Sequence, residues 1–327
     1  MTSTTLNVLL GTTLLGAAAG SVGAWGVLRR RALISDVLSH AALPGLCIAY
    51  GISGERNYGQ LLLGAILSGL LSVALVNLLV RQTRIKQDAA MGIVLSTMYG
   101  LGVVLLSLFT HSSSGGKSAG LERFTLGQAA SITESDVWWI GGIGVAATLM
   151  ILFLYKEFKA VGFDAEFAAS LGWPVQWLDL IMMGCLAGVA VIGIKAVGVL
   201  LSPALLIIPA AAARYWSDQL ARILFVAAFF GAISGALGTW ATSGASPFDP
   251  GSSIPWDKLP TGPVIVLFAA AIFAISLILA PRGGLLSRWR YRQILPPQKT
   301  IADLRESIHD SVMGQGKFSP GATPHAP

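Results

Sequence analysis

An all-α, polytopic membrane bundle of eight or nine transmembrane helices is the fold this sequence predicts, on three observations. The 327 residues are 54% hydrophobic and only 12% charged, where a soluble domain carries about 25% charged residues. Mean hydropathy is +0.70. Apolar runs of about 17–25 residues, the length that crosses a bilayer, recur from one end of the chain to the other.

Taken in order, the spans are expected near 5–28, 32–52, 60–80, 91–110, 137–155, 177–194, 196–213, 219–241 and 262–280, the sixth and seventh running together. The first run lacks a basic leader and ends in Arg29-Arg30-Arg31, so it reads as a span rather than a cleavable signal. Lys and Arg set the orientation. With the N-terminus outside, seventeen of the 22 fall on the cytoplasmic side, and Arg56, Lys117, Arg123, Lys195 and Lys258 on the other. The net charge of +6 then reflects the positive-inside rule rather than nucleic-acid binding. The expected outer loops are 111–136, Ser/Gly-rich at its start, and 242–261, stiffened by Pro247, Pro250, Pro255 and Pro260. Residues 1–285 form the membrane domain. Residues 286–327 form a cytoplasmic tail with a basic cluster, Arg288-Trp289-Arg290-Tyr291-Arg292, suited to an anionic membrane surface, a polar helix over 298–311, and, beyond Gly314, a Gly/Pro/Ser mix read as disordered. Gly16 with Gly20, Gly184 with Gly188 and Gly231 with Gly235 have the spacing that lets membrane helices approach closely.

Within the second span, Asp36 and His40 stand four residues apart, so a helix puts both on one face. Ionisable groups are costly in hydrocarbon and mark sites or pathways there. A carboxylate and an imidazole together suit manganese, iron or zinc. Two bland alternatives remain at this stage: polar contacts between helices, or an ion pair between Asp36 and the arginine triplet. Pro44 and Gly45 follow directly and are expected to break or bend the helix, freeing carbonyls toward the pair. A second broken helix is expected at Ser202, Pro203 and Pro209, a candidate lining for a transport path.

On the cytoplasmic side, Asp164 is a candidate N-cap, Gly172 a helix stop, and Pro174 follows. Between them, a short amphipathic helix carries Glu166, Phe167, Ala168 and Leu171 and is read as a docking helix for a cytoplasmic partner, against the plainer reading of a loop helix. Gly115-Gly116-Lys117-Ser118 is not a phosphate-binding loop, because His111 stands where that motif needs glycine. No catalytic constellation is visible, so the chain reads as a non-enzyme. Cys47 and Cys185 fall in apolar runs and read as small buried hydrophobes, and His111, His309 and His325 as solvated.

The segments LRRRALISDVLSHAALPG, VGFDAEFAASLGWPV and KAVGVLLSPALLIIPAAAAR, in this order, resemble the permease subunits of bacterial ABC importers for manganese, zinc and iron, the ABC-3 family. The likeness covers about residues 5–285. It implies a permease pairing with itself or a sister permease around a central path, an ABC ATPase docked below, and an extracytoplasmic metal-binding protein above. It implies that Asp36 and His40 touch a divalent metal in transit by alternating access. It implies that residues 164–172 are the coupling helix, that no cofactor is permanently bound, and that ATP is used by the partner. The location implied is the bacterial cytoplasmic (inner) membrane. The long basic tail resembles the manganese branch more than compact zinc permeases. A permease for metal–siderophores or corrinoids, or an ion-driven secondary carrier, are the rival readings.

Overall fold

A computed structural model describes residues 3–29, 32–53, 58–112, 127, 129, 132–243, 259–280, 284 and 286. Most of both expected outer loops, the 298–311 helix and the basic cluster lie outside the described residues, as do Arg30 and Arg31. The described chain is helical in eleven elements: α1 Ser3–Leu28, α2 Ala32–Ser53, α3 Tyr58–Gln82, α4 Gln87–Ser112, α5 Glu134–Phe153, α6 Tyr155–Phe163, α7 Ala165–Ser170, α8 Val175–Val197, α9 Ser202–Arg214, α10 Leu220–Ala241 and α11 Thr261–Leu279. Eight of them, α1–α5, α8, α10 and α11, are long and apolar enough to cross a membrane. Helices prevail because every backbone N–H and C=O must be satisfied internally in lipid.

The seventh expected span is corrected. Residues 196–213 do not form one membrane-length helix. The chain leaves α8 at Gly198, which adopts φ +98°, and α9 begins only at Ser202 and runs 13 residues. The break lies at Gly198–Leu201. Pro203 does not interrupt a helix but opens one, since its missing N–H falls in the first turn, where no partner is needed. Pro209 stays inside α9. Ser202 Oγ donates to Ala190 O of α8 at 2.8 Å and Ser202 N–H to Gly198 O at 3.0 Å, so α9 starts alongside the last turns of α8 rather than beyond its end. The interrupted stretch thus makes the return pass with a shorter helix.

Close contacts fix the directions. α1 and α10 cross antiparallel, Gly16 against Gly231 and Gly20 against Ala227. α1 and α5 run parallel, with Gly144 against Ala18 and a Ser21–Thr148 hydroxyl contact of 3.2 Å. α2 packs antiparallel to α3, with Gly45 against Gly64 and Ser68 Oγ donating to Ala41 O. It runs parallel to α4, with His40 beside Tyr99 and Tyr50 beside Phe109. The start of α1 and the end of α11 therefore lie at opposite ends of the bundle. One end carries α6 and α7.

At the other end, α5 opens with a capping box. The enclosed Asp136 carboxylate accepts from Thr133 N–H at 2.7 Å and Thr133 Oγ1 at 2.6 Å, and pairs with Lys195 near the end of α8. Asp136 is 2% exposed, so removing its cation leaves a charge in low dielectric. Lys195→Met is expected to lose about 3–5 kcal/mol, read as a fall in the thermal unfolding midpoint in detergent. Asp136→Asn in the same background is expected to recover part of that loss.

Candidate metal half-site and docking helix

Asp36 and His40 are brought together as the i,i+4 spacing requires. His40 Nε2 lies 3.4 Å from Asp36 Oδ1. The Asp36 side chain is 37% exposed and that of His40 12%, so the carboxylate forms the open edge of the pair. Tyr99 of α4 stands edge-on to the imidazole, with ring centroids 4.9 Å apart and planes at 86°. His40 Nδ1 is enclosed with no hydrogen-bond partner among the described residues. The nitrogen left to face a ligand is Nε2, beside the carboxylate. With metal–ligand bonds of about 2.1 Å, a 3.4 Å donor separation subtends about 110° at a metal, close to tetrahedral.

The expected break after the pair is corrected. α2 continues from Ala32 to Ser53 with Pro44 inside it. Pro44 has no N–H, so the carbonyl it leaves without a helical donor is that of His40, four residues earlier. Gly45 permits a close contact: a Cβ there would overlap Gly64 O and Ser68 Cβ of α3. Continuous packing on both faces, by α3 at Gly45 and by α4 against Pro44 through Gly102, keeps the helix whole. Ser202, Pro203 and Pro209 are buried in the bundle. Arg29, the described member of the arginine triplet, pairs with Asp179 of α8. Cys47 is fully buried, its thiol 3.8 Å from Gly102 O, and packs as a small hydrophobe.

No group of three or more His, Cys, Asp and Glu side chains gathers among the described residues. A metal held by Asp36 and His40 would therefore need further donors from water or another chain. Sequence reasoning missed Tyr99, which no local pattern announces.

The second candidate site is α7. Asp164 Oδ1 accepts from Glu166 N–H at 3.1 Å and Phe167 N–H at 2.9 Å. At the other end Gly172, at φ +84°, donates to Ala169 O at 3.0 Å, and Trp173 N–H reaches Ala168 O at 3.1 Å, the Schellman closure that glycine permits. Six residues are too few to hold a helix by propensity, so these caps hold it. Ala168 is the buried contact; Phe163, Phe167, Leu171 and Trp177 are exposed, and Glu166 is exposed beside them. Asp164→Ala is expected to cost about 1 kcal/mol of local stability. Hydrogen exchange at the Glu166 and Phe167 amides should accelerate while the spans stay protected.

Eight helices long and apolar enough to cross a membrane, with an ionisable pair inside one of them, have the build of a multi-pass membrane protein. The chain belongs to the ABC 3 transport family, whose profile matches residues 1–280. It is 40% identical over 289 residues to the zinc transport system membrane protein TroC of Treponema pallidum (strain Nichols), covering 88% of this chain and 93% of that protein. It is 38% identical over 281 residues to the manganese transport system membrane protein MntC of Bacillus subtilis (strain 168), covering 86% of this chain but 62% of that longer protein. Among solved structures, PsaBC from Streptococcus pneumoniae in complex with Fab aligns with a TM-score of 0.75 at 29% identity, over 90% of this chain and 96% of that one.

Proposed function

We propose that this chain is the permease subunit of an ATP-binding-cassette importer that carries manganese or zinc into the bacterial cytoplasm by alternating access. The observation that carries the reading is the Asp36–His40 half-site in α2, with donors set 3.4 Å apart, in a chain whose relatives are named for these two metals. Two copies, or this chain and a sister permease, supply four donors at a central axis. The resulting pair of carboxylates and imidazoles offsets the charge of a divalent ion and binds it incompletely, which suits release. The imidazole must be unprotonated to ligate. Rigid-body rocking of the halves exposes the site to each side in turn.

A separate ATPase subunit seats on α7, where Phe167, Leu171 and Glu166 form the outward face, and an extracytoplasmic metal-binding protein delivers the ion at the opposite end. The α7 end faces the cytoplasm, so the N-terminus lies outside and the C-terminal tail inside. This assignment follows the excess of Lys and Arg toward that end. A siderophore-sized cargo would gain nothing from an ionisable pair on one helix face.

The test is uptake of radiolabelled manganese and zinc by cells stripped of their own importers and expressing this chain with its ATPase and binding protein. Accumulation of one metal that stops when the ATPase is inactivated supports the reading and names the cargo. Uptake that continues without ATP hydrolysis makes it a secondary carrier instead.

A further inference from the structure

We infer that Arg29 is a positioning residue that links the docking helix α7 to the Asp36–His40 pair; the inference rests on the transport reading above. Arg29 closes the last turn of α1, donating its backbone N–H to Trp25 O. Its guanidinium reaches two other elements at once. One nitrogen pairs with the Asp179 carboxylate of α8, and the other donates to Val161 O of α6 at 2.9 Å. Val161 is the third residue from the end of α6, and the chain turns away at Asp164, whose backbone is extended at φ −149° and ψ 101°. The Val161 carbonyl is thus one of the unpaired acceptors at a helix C-terminus, where a cation is favoured by the helix dipole. The planar fork of arginine serves carbonyl and carboxylate together, which an ammonium cannot do in the same geometry.

One turn earlier, Trp25 packs edge-on against Phe158 of α6 with centroids 5.7 Å apart, and Gly162 lies against the same indole. Phe158 and Val161 are the buried residues of α6, so the end of α1 holds this short helix at each of its anchors. α6 leads through Asp164 straight into α7. On the other side, α2 begins at Ala32, three residues past Arg29, and reaches Asp36 four residues later. A displacement of α7 passes through α6 to Trp25 and Arg29 at the end of α1, and from there to the start of α2, whose Ser35 lines a crevice together with Gly26 and Val27 of α1. Asp179 ties the same point to α8, whose far end precedes the break at Gly198. The Arg29 and Asp179 side chains are 11% and 21% exposed, so solvent screens the pair only in part.

The experiment reconstitutes the complete transporter, this chain with its ATPase and binding protein, in proteoliposomes, and measures ATP hydrolysed per metal ion taken up. Arg29→Ala, Arg29→Lys and Asp179→Asn are compared with wild type at matched amounts of folded complex, checked by thermal midpoint. The expected result is hydrolysis within about twofold of wild type, with ATP per ion raised at least about 5-fold, less in Arg29→Lys. Asp179→Asn is nearly isosteric, so the result does not depend on how well Arg29→Ala folds. A wild-type ratio in all three variants, or uptake and hydrolysis falling together, overturns the inference. A wild-type preparation that takes up no metal overturns the functional reading, and this inference with it.

Discussion

Metal uptake is expected to fall at least about 10-fold, the loss that even indirect supports of a metal site produce, in both His40→Phe and Asp36→Asn, at unchanged levels of folded protein in the membrane. The choice of replacements decides what the result means. Phenylalanine keeps a flat ring against Tyr99, and so keeps the edge-on contact worth about 0.5–1.5 kcal/mol, while deleting the nitrogen beside Asp36. Asparagine keeps the shape of Asp36 and removes its charge. Neither change leaves a cavity, so a transport loss would be chemical and not a matter of stability. Tyr99→Phe serves as the control: it keeps the ring that braces His40, and uptake is expected to stay near wild type. Normal uptake in His40→Phe would make the imidazole a packing group and move the path elsewhere in the bundle.

The parts of this protein that were legible in advance are those whose causes are local in sequence. Hydropathy run length found the eight span-length helices because a bilayer sets a minimum apolar length. The face shared by Asp36 and His40 follows from helical spacing alone, and Asp164 with Gly172 mark a helix that is held by its own two ends. The misreadings have a common cause. Residues 196–213 are apolar throughout, and hydropathy cannot register a turn in the backbone. The break showed only in Gly198 and in Ser202-Pro203, a dipeptide that opens helices as readily as it ends them. At Pro44 the same residue type does not break the helix, which α3 and α4 pack against on both sides. Arg29 with Asp179, Asp136 with Lys195, and His40 with Tyr99 join residues 150, 59 and 59 positions apart, and no periodicity spans such distances. Asp136 and Lys195 did carry one usable signal, since opposite charges near the same end of apolar helices seek each other.

Gly20→Ala and Gly16→Ala are expected to be among the most damaging single-methyl additions in the chain, while Gly100→Ala is expected to be neutral or mildly stabilising. In lipid, helices gain little from burying apolar surface against one another, so association depends on close contact between backbones. The α1–α10 seam is built that way. A Cβ on Gly16 would overlap Gly231 O, one on Gly20 would overlap Ala227 O, and one on Gly235 would overlap Thr12 O. These are backbone carbonyls and cannot rotate aside as a side chain would, so the helices must separate. The Thr12–Thr239 hydroxyl contact at 2.8 Å and the Thr12 bond to Gly235 O at 3.3 Å lie on the same seam and would stretch with it. Overpacking of this kind costs about 1–3 kcal/mol or more. Gly100 meets nothing within 4 Å, and there alanine gains about 1 kcal/mol of helix propensity over glycine. The two substitutions add the same methyl group to the same kind of helix, so a difference in sign between their unfolding midpoints in detergent isolates the contact. A Cβ on Gly184 or Gly188, which share the same spacing, would meet side chains of Leu70 and Ile143 at 4.0 and 3.3 Å instead of backbone, and alanine there should fall between the extremes. Because Arg29 directly follows α1, a seam forced open at Gly20 would also shift the junction with α6. Gly20→Ala should therefore raise ATP per metal ion at temperatures where the protein is still folded, whereas Gly100→Ala should leave that ratio alone. If both variants melt together, α1 and α10 do not meet where the small residues place them.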